Sequence, residues 1–439
     1  MRERLLRIQH RRQNTPENDK PHEVSHTSIH SVGVPPQLSA DGWTEAGYQT
    51  LSQVFSVKQH IPIPPVFFPA QGIVIPDLEY CINRNDNQDI SPVSVENLLF
   101  FDLETTGLSG GAGTVAFLAA FGRLVLPGVQ EKTGLPPRHD LRITQYLLLD
   151  YPGESDFLDA VTAEFSGNPL VVSYNGKSFD SQILKTRCLM NGIQPPQYLH
   201  ADLLHPARRL WKRIIESCSQ GNIEEKILGL DRSDDIPGAL APDIWFGFLR
   251  SGNTGALTGI CEHNRRDIRG LASIFAVMAE IAQDPIGAYN QFPYDAENLA
   301  LRWHDSMRYL TIRGMGNSSA ENAELYKTGR ILLQFAAEKG GGRAALLLAV
   351  QLLRSGFPEE GRKGLGDVAA GNFSVPLRAS ALRFLAIDSE HYRSDFTAAL
   401  EYVNNALDLD LNEAQKMEFE RRKSRLLKKA PTAESGEPV

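Results

Sequence analysis

Leu98-Leu99-Phe100-Phe101-Asp102-Leu103-Glu104-Thr105-Thr106-Gly107 is the stretch on which the fold turns. An apolar run that ends in two carboxylates one residue apart reads as a buried β-strand with an acidic mouth. Side chains alternate faces along a strand, so Asp102 and Glu104 point the same way. Burying two like charges together is costly unless a positive group lies between them. A hard, oxygen-seeking divalent cation such as Mg²⁺ or Mn²⁺ meets that need and keeps positions open for water and phosphate.

Two further segments supply matching chemistry. Leu170-Val171-Val172-Ser173-Tyr174-Asn175-Gly176-Lys177-Ser178-Phe179-Asp180 is a second apolar run, followed by a turn and a carboxylate. His263-Asn264-Arg265-Arg266-Asp267 sets a His and an Asp four residues apart, which a helix brings to one face. Asp102, Glu104, Asp180, Asp267 and His263 together are the parts for two-metal phosphodiester hydrolysis. The carboxylates hold two ions, and a neutral imidazole takes a proton from the attacking water.

In that order, Asp102-x-Glu104, Asn175-x-x-x-x-Asp180 and His263-x-x-x-Asp267 resemble the DEDD (DnaQ-like) 3′→5′ exonucleases of the ribonuclease H fold. The surrounding text resembles the bacterial YprB-type branch most. The matching pieces are Phe101-Asp102-Leu103-Glu104-Thr105-Thr106-Gly107-Leu108-Ser109-Gly110-Gly111, Asp202-Leu203-Leu204-His205-Pro206-Ala207-Arg208-Arg209-Leu210-Trp211, and Asp235-Ile236-Pro237-Gly238. One departure is visible: the family's histidine pattern has a five-residue gap to the last Asp, and here the gap is four, as in the tyrosine subclass. Either gap keeps both residues near one helical face.

The resemblance implies an α/β fold, a ribonuclease H-like mixed sheet flanked by helices. It also implies that Asp102, Glu104 and Asp267 hold a first Mg²⁺ or Mn²⁺ ion, with Asp102 shared to a second and Asp180 acting on that second ion through water. His263 is the implied general base. Thr105, Thr106 and Gly107 are expected to offer backbone groups to the terminal nucleotide, Leu108 to pack on its base, and Asn175 and Lys177 to meet phosphate or sugar. The implied substrate is single-stranded nucleic acid, with RNA and DNA both open, because discrimination depends on contacts to the 2′-OH; processing of structured RNA, trimming of single-stranded DNA and dinucleotide degradation are all compatible with it.

A length of 439 residues leaves room for two or three domains. No apolar run approaches the roughly 20 residues that span a bilayer, and Met1 to His10 lacks the apolar centre of a signal peptide. A cytoplasmic protein with no membrane partner is expected. Cys81, Cys188, Cys218 and Cys261 lie far apart with no C-x-x-C pair, the pattern of reduced thiols rather than a zinc or redox site. A net charge of −8 is not that of a basic nucleic-acid binder, so grip on a polyanion must come from local patches.

Residues 1–35 are polar and aperiodic and read as a disordered arm. Residues 36–90 include the proline-dense run from Ile61 to Pro69 and read as an ordered extension laid over the next domain. Residues 91–285 are the ribonuclease H-like domain, with strands expected at Val115–Leu126 and Leu141–Leu149 and helices at Ser155–Phe165 and Asp180–Met190. The Gly110–Gly113 turn lacks the Lys-Ser/Thr of a phosphate loop. Residues 290–439 turn wholly helical. Helix pairs over about 343–374 and 375–410 resemble tetratricopeptide repeats, with a last charged helix through Lys416–Lys429 as a cap.

Arg208, Arg209, Lys212 and Arg213, with Trp211 among them, are the strongest basic cluster of the nuclease region. They read either as a phosphate-tracking patch with a ring able to stack, or as a solvated face with Trp211 in the core. The need to bind a polyanion favours the patch. Arg265 and Arg266 either neutralise carboxylates or face solvent. Glu224, Arg232, Asp234 and Asp235 fall within the stretch of resemblance, with no independent chemical argument of their own. Two functions compete: a two-metal exonuclease, and a nucleic-acid-binding scaffold whose helical repeats recruit a protein partner. The complete acidic set favours the enzyme.

Overall fold

The computed structural model describes residues 43–45, 49–56, 97–107, 113–125, 140–313 and 319–429. The arm at 1–35, the Ile61–Pro69 run, Leu108 and residues 110–112 lie outside the described residues.

The strands are β1 (Thr44–Glu45), β2 (Gln49–Ser56), β3 (Leu98–Thr105), β4 (Ala116–Val125), β5 (Asp140–Leu147), β6 (Leu170–Ser173) and β7 (Leu199–Asp202). They form one mixed sheet in the order β1-β2-β5-β4-β3-β6-β7. β3 is central, antiparallel to β4 and parallel to β6, and β7 runs parallel to β6. Within the 36–90 stretch, β1 and β2 extend the sheet antiparallel beyond β5, and β2 contains no proline to interrupt its ladder.

Strand β3 is buried on both faces, and its alternation sorts its residues into two cores. Leu98 and Phe100 join the layer under helix α6 (Leu257–Gln283) and α3 (Leu204–Trp211). Leu99, Phe101 and Leu103 join the opposite layer, with α1 (Glu154–Ala163), α2 (Asp180–Met190) and α5 (Ala241–Ser251). A strand covered by helices on both sides needs a near-continuous apolar run, which is what Leu98–Leu103 supplies. The short α4 (Gln220–Lys226) packs against α6. The expected helix over Asp180–Met190 has those bounds, and the one expected from Ser155 runs Glu154–Ala163.

Beyond α6 the chain is helical: α7 (Pro285–Ala288), α8 (Ala296–Arg313), α9 (Ser319–Glu338), α10 (Gly342–Arg354), α11 (Pro358–Ala370), α12 (Val375–His391), α13 (Phe396–Leu407) and α14 (Glu413–Leu427). The pairs α10–α11 and α12–α13 fall where the two helix pairs were expected, and each packs on the next in sequence, with α14 on α13. Ala296, Ala300, Leu332, Leu333 and Ala344 share one apolar cluster with Phe100, Trp211 and Phe275. The Trp211 indole N–H donates to Pro293 O (3.1 Å) and the Asp295 N–H to Leu210 O (2.7 Å), so the helical region is docked on α3. No helix among the described residues is long and apolar enough to cross a membrane.

Candidate active site

Asp102 and Glu104 share the face of β3 that carries Phe100, and that face looks at α6. The Phe100 and Phe275 rings meet edge to face, centroids 5.7 Å apart. Across the ladder, Gly122 pairs with Phe100 and Ala120 with Asp102. A Cβ on Gly122 would lie 2.6 Å from Ile268 Cγ2, so the bare glycine lets α6 lie close over the strands. Helix α6 then delivers His263, Asn264 and Asp267 to the acidic end of β3. Fully buried Asn264 donates from Nδ2 to Asp102 Oδ2 (2.8 Å), and its Oδ1 accepts from Gln145 Nε2 of β5 (3.0 Å).

His263 Nε2 lies 3.4 Å from Asp267 Oδ2 and 4.0 Å from Glu104 Oε1. One ligand atom from each of Glu104, His263 and Asp267 falls within 4.8 Å of the other two. On the far side of the ring, Nδ1 lies 2.9 Å from Asp235 Oδ2 but off the direction of a hydrogen bond, which leaves it a buried nitrogen without a bonded partner. Gly238 closes the ring in, since a Cβ there would sit 2.8 Å from Nε2. Burial pushes the Asp102 and Glu104 carboxyls well up, and the charges of Asp267 and Asp180 push further.

Asp180 opens α2, just past the turn that follows β6. Burial, with the Asp202 charge beside it, pushes its carboxyl up to about 7. Asp202, at the end of β7, gathers that turn: Oδ1 accepts from the N–H groups of Asn175 (2.8 Å) and Leu204 (3.1 Å), and Oδ2 from that of Lys177 (3.1 Å). Asn175 takes the left-handed conformation (φ 65°), and Gly176 has no room for a side chain, its Cβ falling 2.8 Å from Asp180 Oδ2. Behind the turn, His200 Nε2 meets Ser173 Oγ (2.7 Å) and Nδ1 meets Ser181 Oγ (3.2 Å), and burial holds the imidazole down at about 4. The carboxyl ends of the parallel strands β3, β6 and β7 therefore meet at one acidic edge, where open α/β sheets carry their chemistry.

Residues 99–279 match the family model described as RNase_H superfamily. Over 187 residues the chain is 38% identical to the uncharacterized protein YprB of Bacillus subtilis (strain 168). The matched part is 42% of this chain and spans 42% of that relative's length. The mixed sheet with its flanking helices is ribonuclease H-like.

Within this ribonuclease H-like region, Asp102, Glu104, Asp180, His263 and Asp267 gather at one site, each tied to another by a short distance or by direct charge repulsion. The donor set suits a divalent cation: hard carboxylate oxygens and one imidazole nitrogen, half-buried, in mutual reach. Thr105 is buried with its hydroxyl on Gly107 O (3.0 Å), and the Thr106 hydroxyl accepts from Val115 N–H (2.9 Å), so both side chains shape the loop after β3. Asn175 and Lys177 have exposed side chains on the turn that Asp202 ties down. Arg208 is exposed on α3, and Arg209 is half-buried near Arg302. Trp211 is fully buried, which excludes the stacking role considered for it. Arg265 and Arg266 both pair with Glu262, and Arg266 Nη1 comes within 4.0 Å of Asp235.

Four residues gain a place at the site that their sequence context did not assign them. Asn264 and Asp202 hold Asp102 and the β6–α2 turn. Asp235 faces His263, and Arg232 reaches Asp267 Oδ1 at 2.6 Å. Asn264 is the neighbour of His263 in sequence, and Asp202 ends a short strand as a carboxylate, the same pattern as in β3. Those were the signals available.

Proposed function

We propose that this protein is a metal-dependent 3′→5′ exonuclease that hydrolyses phosphodiester bonds of single-stranded nucleic acid. The observation that carries the reading is the gathering of Glu104, His263 and Asp267 donor atoms within 4.8 Å beside the mutually repelling Asp102 and Asp180. Glu104, Asp267 and Asp102 would hold one Mg²⁺ or Mn²⁺, and Asp102 with Asp180 a second. Bound there, the two ions would supply Lewis acidity at the attacking and leaving oxygens. His263 Nε2 is the atom that takes the proton from the attacking water, and the Asp235 carboxylate beside Nδ1 stabilises the imidazolium that results. Asn264 fixes the Asp102 carboxylate through Oδ2.

The loop Thr105–Gly107 and the turn at Asn175 and Lys177 flank the acidic edge, where the terminal nucleotide and its phosphate are received, with Arg208 and Arg209 further along the strand path. The polarity of cleavage rests on the DEDD resemblance. The stacked helices α10–α14 are the surface for a protein partner in a tetratricopeptide-like manner. A cytoplasmic setting suits the reduced thiols of Cys188 and Cys218.

The test uses 5′-labelled single-stranded RNA and DNA oligonucleotides with Mg²⁺ or Mn²⁺. A ladder shortening from the 3′ end is expected, on whichever strand is the substrate. Internal cuts without a ladder overturn the exonuclease reading, and no cleavage of either strand with binding retained points to the scaffold.

A further inference from the structure

Arg232 is not one of the acidic set, yet it touches much of what holds that set in place. From the loop between α4 and α5 its Nη2 meets Asp267 Oδ1 at 2.6 Å, and its Nη1 lies 3.3 Å from Asp235 Oδ2. Its Nε and Nη2 grip Glu224 Oε2 and Oε1 at 2.5 and 2.9 Å. Glu224 is itself held on several sides. It is buried, its carboxylate presses on α6 where a Cβ on Gly270 would overlap it, and Gln220 Nε2 bonds both Glu224 Oε1 (2.9 Å) and the backbone O of Asp267 (2.8 Å).

The guanidinium is thus anchored at one end and reaches one oxygen of Asp267 at the other. The remaining oxygen, Oδ2, is left facing His263 Nε2. Asp235 is placed between the same two groups by a single oxygen, Oδ2, which lies 3.3 Å from Arg232 Nη1 and 2.9 Å from His263 Nδ1.

We propose that Arg232 is a positioning residue of the metal centre: its fork, braced on Glu224, holds Asp267 by Oδ1 and so turns Oδ2 toward the cation position, with the His263 base beside it. The inference rests on the reading of Glu104 and Asp267 as metal ligands. A planar fork can hold two carboxylates in fixed directions, whereas the point charge of a lysine cannot. Groups that orient ligands from behind typically change metal affinity when they are lost.

The test is Mn²⁺ binding by the full chain without nucleic acid, read by electron paramagnetic resonance, followed by the kcat and KM of oligonucleotide cleavage. The variants are Arg232→Lys, which keeps the charge and loses the fork, and the double variant Glu224→Gln with Arg232→Gln, which removes the guanidinium together with the buried charge of Glu224. Both are expected to bind Mn²⁺ more weakly by roughly ten- to a hundredfold. At saturating Mn²⁺ kcat should stay low while KM for the strand is unchanged. If the double variant does not fold, Arg232→Lys decides. Mn²⁺ binding equal to or tighter than wild type in the folded variants overturns the proposal, tighter binding showing Arg232 to be a competitor for Asp267. Asp102→Ala separates the two ideas. A wild type that binds no Mn²⁺ overturns the metal reading and this inference with it. A wild type that loses Mn²⁺ on Asp102→Ala but not on the Arg232 changes overturns this inference alone.

Discussion

Replacing Asp180 with asparagine should make the metal-free protein more stable at neutral pH, and the structure sets the size of the effect. The carboxyl is held at about 7 in the fold against an ordinary 3.8, chiefly by burial and then by Asp202. The unfolded chain gives up this proton near 3.8, while the folded chain keeps it to about 7. Between those values the native state binds more protons, so stability falls as pH rises through the window, and the full cost is present above it. At about 1.4 kcal/mol per unit, that interval is on the order of 4 kcal/mol. Asp102 and Glu104, also pushed up, act in the same direction, and the Asp180 charge adds to both.

His200 works the other way. Its folded value of about 4 against 6.5 makes stability rise with pH between those two values, by on the order of 3 kcal/mol. The two effects oppose each other below 6.5, so the difference between wild type and Asp180→Asn is the quantity to read. Thermal unfolding in EDTA from pH 4 to 8, followed by the fluorescence of buried Trp211 and Trp245, should show the two proteins together at pH 4. By pH 8 the variant should be ahead by several degrees, at roughly 2–4 °C per kcal/mol for a region of this size. Adding Mn²⁺ should reverse the order. A variant no more stable than wild type at pH 8 refutes the burial of an ionised Asp180 against its neighbours.

Three further outcomes are expected. Gly238→Ala places a Cβ 2.8 Å from His263 Nε2, so the ring must shift; cleavage should fall on the order of 100-fold with the melting curve little changed. Asn264→Leu removes the donor to Asp102 Oδ2 and the acceptor of Gln145 Nε2. It should cost about 1–3 kcal/mol by chemical denaturation and weaken Mn²⁺ binding. Arg187→Ala strands Glu154, whose two oxygens it holds at 2.6 and 2.5 Å away from the acidic edge. Destabilisation of about 3–5 kcal/mol should follow, while the folded fraction cleaves at the wild-type rate.

The acidic strand was legible because burial and alternation act locally: Leu98–Leu103 had to be covered on both faces, and two carboxylates one residue apart had to share one of them. Asp180 and the His263–Asp267 pair were legible for the same reason, each lying where a short apolar run or a helical period placed it. Asn264 and Arg232 were not. Asn264 acts on a residue 162 positions away, and only the closeness of α6 to β4, allowed by Gly122, makes that contact. Arg232 sits in a loop, where neither period of two nor of 3.6 fixes a direction, and its partners come from α4, α6 and its own loop. Strand β7 was missed because Leu199-His200-Ala201-Asp202 is four residues long with a polar interior. The basic patch around Trp211 looked like a surface because its arginines are on one, while the ring points into the core beneath α8.

The most direct measurement of the central claim is Mn²⁺-dependent cleavage of a labelled single strand by wild type and by Asp102→Asn, with and without EDTA. Metal-dependent cleavage that EDTA abolishes, and that the folded variant lacks, is the predicted result. Cleavage that survives in Asp102→Asn, or that proceeds in EDTA, contradicts the assignment of the acidic edge of β3 as the catalytic centre.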